Sequence, residues 1–201
     1  MATPLQVFCY IPNLIGYIRI ALLLGAWLSS NDSLQFILIL LSAALDLFDG
    51  MAARKFNQES KFGAWLDITI DIFTRGSLWI YSNPQLGFPV VCLEFLVFVA
   101  TQAMSFGGQQ SWQDTSKRQL NWVAASIISK GFKSIPGFVA VCGLWGLPIV
   151  LYAEATIPSI VYDWEILFAF LLCFAWFGRG LCAFVEVCIL QRYILILVDS
   201  Q

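Results

Sequence analysis

The sequence predicts an all-α polytopic membrane protein with six transmembrane helices and both termini on the cytoplasmic side. Three observations carry that prediction. Of 201 residues, 59% are hydrophobic and only 12% charged, with a mean hydropathy of +0.77. A soluble domain of this size needs more polar surface to cover its core. Apolar runs near the ~20 residues that cross a bilayer as a helix recur along the whole chain. Finally, Lys and Arg fall on one side of the alternating loops, the side that stays cytoplasmic.

The opening MATPLQVFCY suits a short interfacial segment. It has no basic n-region, and its apolar run leads into a plausible span, so no cleavable signal peptide is expected. Span one covers about Ile11 to Leu28 and stops at the polar turn Ser29–Ser33. Span two runs from about Leu34 to Arg54, and the connection Lys55–Lys61 is short enough for a helix–helix turn. Span three covers about Phe62 to Tyr81, Ser82–Gly87 is a turn, and span four covers about Phe88 to Phe106. The longest polar stretch is Gly107–Leu120, and Asn121–Ile135 is ambiguous. Span five covers about Pro136 to Tyr152, Ala153–Asp163 is a loop, and span six runs from Trp164 to Leu190. With no internal repeat, residues 1–201 read as a single membrane domain. The connections on the N-terminal side hold Arg54, Lys55, Lys61, Lys117, Arg118, Lys130, Lys133 and Arg192, whereas the opposite loops hold no Lys or Arg.

Several chemistries drop out. Histidine is absent, which excludes His-based catalysis and typical zinc sites. Cys9, Cys92, Cys142, Cys173, Cys182 and Cys188 form no CxxC pair and read as small apolar core residues. A net charge of −2 gives no reason to expect a nucleic-acid partner.

What remains is acidic. Asp46 and Asp49 are spaced i, i+3 and Asp67 and Asp71 i, i+4, so each pair shares one helix face. Gly50 and Ala53 continue the first face and Gly63 precedes Asp67 by one turn, leaving both faces sterically bare. An ionised Asp at the centre of a span costs roughly 2.5–3.5 kcal/mol on insertion scales, so four at matching depth require compensation. Two divalent cations neutralise four carboxylates, and hard oxygen donors favour Mg²⁺ or Mn²⁺. Two such ions about 3.5–4 Å apart are a recurring device of phosphoryl transfer. Arg19, Arg75 and Arg179 lie within spans, where each could pair with a site aspartate, bind phosphate or snorkel. Glu94 and Glu186 belong to no motif and suit helix–helix hydrogen bonding.

The run D-x2-D-G-x2-A-R-x8-G-x3-D-x3-D is filled by Asp46, Asp49, Gly50, Ala53, Arg54, Gly63, Asp67 and Asp71. It resembles the signature of the CDP-alcohol phosphotransferase family, the class I phosphatidyltransferases. The phrases IPNLIGYIRI, LDLFDGMAAR and NQESKFGAWLD are most similar to the eukaryotic phosphatidylinositol synthases within it, over roughly the first 75 residues. The resemblance implies a transferase of phospholipid biosynthesis that moves a phosphatidyl group from CDP-diacylglycerol to a small alcohol, inositol foremost, releasing CMP. It implies Asp46, Asp49, Asp67 and Asp71 as metal ligands for Mg²⁺ or Mn²⁺, and Asp71 as the base. It further implies Asn13, Gly50, Ala53, Arg54 and Gly63 at the CDP-lipid, and Lys130, Lys133 and Arg75 toward the acceptor. A homodimer in the endoplasmic reticulum or another endomembrane, with its active site facing the cytosol, completes the expectation.

Ile72 follows Asp71 where those synthases typically carry arginine, and only lysines lie near the arginines expected before span five. These departures fall on the acceptor side and keep another polyol or phosphorylated alcohol as an alternative. A non-catalytic metal- or lipid-binding homologue and an ion carrier are the competing classes, but neither explains Gly50, Ala53 and Gly63.

Overall fold

The computed structural model describes residues 3–106 and 121–199. It is 90% helix, and no strand occurs among the described residues. The helices are α1 (Pro4–Phe8), α2 (Ile11–Leu28), α3 (Asp32–Lys55), α4 (Lys61–Ser82), α5 (Pro84–Phe106), α6 (Trp122–Phe132), α7 (Ile135–Thr156), α8 (Pro158–Asp163) and α9 (Glu165–Asp199). Five of them, α2, α3, α5, α7 and α9, are long and apolar enough to cross a bilayer. The helix α4 matches them in length but carries Lys61, Asp67, Asp71 and Arg75. Large side chains such as Leu47, Phe48, Phe170 and Phe177 are exposed, as expected where the outer face of a helix meets lipid instead of water.

Three expectations change. The ambiguous Asn121–Ile135 contains a helix, α6, which Asn121 caps by accepting from the Val123 amide. Most of the expected loop Ala153–Asp163 is helical: α7 continues to Thr156 and Pro158 opens α8, a position where its missing N–H is no loss. The last helix continues past Leu190 to Asp199, a run of 35 residues, or about 50 Å at 1.5 Å per residue. No Gly or Pro follows Gly180 to stop it. The cysteines also differ from expectation. All six are free; Cys182 is buried, but Cys9, Cys92 and Cys173 are exposed, and a small apolar thiol facing lipid has no need of a core. The polar stretch Gly107–Leu120, with Lys117 and Arg118, lies outside the described residues.

The helices group into two compact units, Met1–Leu78 and Trp79–Gln201. In the first, α3 and α4 are joined by a tight connection. Asn57 takes a left-handed conformation (φ 52°) and the Gln58 amide donates to the Ala53 carbonyl at 2.9 Å, the reversal that ends a helix without orphaning its carbonyls. Ser60 then caps α4 by accepting from the Gly63 amide at 2.9 Å. Gln58 Oε1 accepts from the Ile11 amide at 2.9 Å, tying this connection to the start of α2. Polar side chains bridge the helices within the apolar layer: Gln35 donates to the Ala26 carbonyl (3.0 Å) and Trp27 Nε1 to Ser77 Oγ (2.8 Å). Such bonds hold membrane helices together where the hydrophobic effect between them is weak.

In the second unit α7 and α9 meet at Gly143 and Gly178. A Cβ on Gly143 would overlap the backbone of Gly178 and Arg179, so the contact exists only because both residues lack one. Nearby, Arg179 Nη1 pairs with Glu186 at 2.9 Å and Nη2 with Glu94 at 3.6 Å. This buried triad accounts for both lone glutamates and gives Arg179 its partners. Gly143→Ala is expected to destabilise the protein by about 1–3 kcal/mol, the scale of overpacking against atoms that cannot yield. A thermal midpoint in detergent unchanged from wild type would contradict this packing.

Candidate functional site

The first unit positions its charged side chains from three helices. Asp46 and Asp49 occupy one face of the last turns of α3, where Arg54 and Lys55 also sit favourably at the C-terminal end. Asp67 and Asp71 occupy one face of α4. From α2, which is let in close by Gly16 packing on Leu66 and Ile70, Arg19 reaches between the two pairs. Its Nη1 lies 2.9 Å from Asp46 Oδ1, 2.7 Å from Asp49 Oδ2 and 3.0 Å from Asp67 Oδ1. Its Nη2 donates to Asp71 Oδ1 at 2.6 Å. Arg75 Nη1 stands 3.7 Å from Asp71 Oδ2, one turn along α4.

The helical spacings therefore do what they predicted: all four carboxylates converge. Arg19, which the sequence left open among three roles, is their common partner, and its side chain is 0% exposed. Four carboxylates face two guanidiniums, so the cluster keeps a formal charge of −2 when all are ionised. Asp46, Asp49 and Asp67 each offer an oxygen, and the three atoms lie within 4.8 Å of one another. Uncompensated negative charge and convergent hard donors suit a divalent cation of the Mg²⁺ or Mn²⁺ type.

Beside the acids lies a cavity of about 310 Å³, within the range of small-ligand sites. Asn13, Gly50, Ala53, Arg54 and Gly63 all line it, together with Asp49 and Asp67. The two glycines differ in kind. A Cβ on Gly63 would stand 2.9 Å from Asn13 Oδ1 and 3.1 Å from Ser60 Oγ, so packing demands a glycine there. A Cβ on Gly50 would meet only the Arg54 guanidinium, at 3.7 Å. Gly50 is thus bare toward the cavity and not toward the protein. Asn13 is buried, with Nδ2 donating to the Val7 carbonyl at 2.6 Å and Oδ1 turned toward Gly63. Pro12, Gln58 and Ser60 also line the space; Gln58 and Ser60 fall within the phrase NQESKFGAWLD, but nothing in the sequence singled out either one.

The residues expected at the acceptor divide between the two units. Arg75 touches the acids through Asp71. Lys133 belongs to the second unit and is exposed at the end of α6. Lys130 lies in the same helix, and its side chain falls outside the described residues.

Fold and site define an integral membrane protein with a cluster of four aspartates beside a cavity. Residues 9–156 match the family model for CDP-alcohol phosphatidyltransferase. The chain belongs to that family. It is 46% identical over 78 residues to the CDP-diacylglycerol–inositol 3-phosphatidyltransferase of Candida albicans, covering 38% of this chain and 34% of that protein. The Drosophila melanogaster protein of the same name is 49% identical over 68 residues (33% and 30% of the two chains), and the human one 36% over 102 (50% and 47%). The chain thus matches less than half the length of each of these relatives. No solved structure matches it.

Proposed function

We propose that the protein transfers the phosphatidyl group of CDP-diacylglycerol to a small alcohol, inositol foremost, with release of CMP. The observation that carries this reading is the convergence of Asp46, Asp49, Asp67 and Asp71 beside a cavity whose floor, at Gly50, is open for no packing reason. The names of the similar proteins supply donor and acceptor.

In this reading Asp46, Asp49, Asp67 and Asp71 hold two divalent ions, Mg²⁺ or Mn²⁺. When bound, such ions offset the charge of a diphosphate and of the departing phosphate. Gly50 and Ala53 let the cytidine nucleotide lie against the backbone of α3, the Arg54 guanidinium lies along it, and Gly63 leaves room for Asn13 Oδ1. Asp71 accepts the proton of the attacking hydroxyl. A positioned base contributes typically about 10²–10⁴-fold; with Oδ1 of Asp71 held by Arg19, Oδ2 is the atom for that role. Arg75, Lys130 and Lys133 serve the acceptor. Six spans with cytoplasmic termini fit the 22 residues of α4 and the placement of Arg54, Lys55, Lys61, Lys133 and Arg192. The eukaryotic relatives favour an endomembrane such as the endoplasmic reticulum, and the family resemblance a homodimer.

The test is CMP release from CDP-diacylglycerol by detergent-purified protein with Mn²⁺ or Mg²⁺ and a panel of alcohols. Release dependent on both a divalent ion and inositol is expected. Release with another alcohol alone would transfer the acceptor assignment and keep the nucleotide site. No release with any alcohol would favour the non-catalytic homologue.

A further inference from the structure

The acid cluster already contains a cation, supplied by the chain itself. We infer that Arg19 is a tethered counter-ion that holds the four aspartates together before divalent ions arrive, and that its Nη1 withdraws when they bind. The inference rests on the metal reading proposed above and deepens it.

Three features of the site carry it. First, the position is shared. Nη1 lies within 2.7–3.0 Å of the same three acids, Asp46, Asp49 and Asp67, whose oxygens converge for a metal. A Mg²⁺-sized ion needs those oxygens at about 2.0–2.1 Å, so ion and guanidinium nitrogen cannot occupy the centre together. Second, Arg19 is completely enclosed, and a charge in that setting depends on its partners. Its Nε has no hydrogen-bond partner among the described residues, so the acids alone hold the guanidinium. Third, Nη2 has a separate anchor, Asp71 Oδ1 at 2.6 Å. Nη1 can leave while Nη2 stays, and the side chain needs to pivot, not escape.

Charge makes the exchange directional. With both guanidiniums in place, two divalent ions would carry the four-carboxylate cluster from a formal −2 to +2. The excess positive charge is relieved by an anionic ligand such as a diphosphate in the adjoining cavity. Arg19 therefore weakens metal binding to the ligand-free protein and stabilises the metal-free fold. It is a positioning residue, acting through the aspartates.

The experiment is a Mn²⁺ titration of the purified full chain, followed by electron paramagnetic resonance, with thermal midpoints measured in EDTA and in saturating Mn²⁺. Arg19→Gln is expected to tighten Mn²⁺ binding by about tenfold or more, the effect of removing one like charge worth at least about one decade in affinity. It should also lower the midpoint in EDTA far more than in Mn²⁺, whereas a side chain that only packs would lower both equally. Arg19→Lys keeps the charge but reaches fewer oxygens and should fall between; it decides the matter should Arg19→Gln not fold. Mn²⁺ affinity equal to or weaker than wild type in the folded variant overturns the inference. Wild-type protein that takes up no Mn²⁺ overturns the metal reading itself, and this one with it.

Discussion

Asp49→Asn is expected to reduce CMP release by at least about 10²–10³-fold, the scale of losing one charged contact to a transition state, with the fold retained. Asp49 is the most enclosed of the four acids, its side chain 10% exposed, and its Oδ2 makes the 2.7 Å contact to Arg19. Asparagine keeps the shape and one acceptor oxygen but removes the charge that a divalent ion requires. The protein should still fold, because Arg19 retains Asp46, Asp67 and Asp71. The measurement pairs initial rates of CMP release with the thermal midpoint in detergent. Wild-type turnover by Asp49→Asn would eliminate the acid cluster as a metal site, whatever the family of the chain.

Gly50→Leu is the second large effect. A Cβ at this position meets only Arg54 at ordinary contact distance, and removing a glycine from a helix interior gains up to about 1 kcal/mol in propensity. Stability should therefore be unchanged or slightly raised. The added side chain projects into the 310 Å³ cavity and should reduce CMP release about 100-fold, through loss of the CDP-lipid, on the scale of a misplaced substrate. Gly63→Ala provides the contrast, since its Cβ presses on Asn13 at 2.9 Å and should cost stability as well as activity. A Gly50→Leu protein with normal turnover would mean that the nucleotide lies elsewhere.

The contrast between Gly50 and Gly63 marks where sequence reasoning stops. Both occupy signature positions, and the pattern alone assigns them one purpose. Only the neighbours of each Cβ separate a glycine required by Asn13 and Ser60 from one that faces empty space.

The all-helical class, five helices long and apolar enough to cross a membrane, the facing carboxylate pairs and the family were legible in the residues themselves. Hydropathy and the 3.6-residue period are properties of neighbouring positions, and a motif within 26 residues needs only two helices and a turn to be expressed. Other features depended on tertiary packing. Arg19 meets Asp49, Asp67 and Asp71 across 30, 48 and 52 positions, Gln58 meets Ile11 across 47, and Arg179 gathers Glu94 from another helix. Which distant charges pair depends on how helices approach and rotate against one another, and small residues such as Gly16, Gly143 and Gly178 control that approach. In an apolar layer a buried charge must find a partner; the chain's composition states that requirement, and the packing of its helices selects the partner.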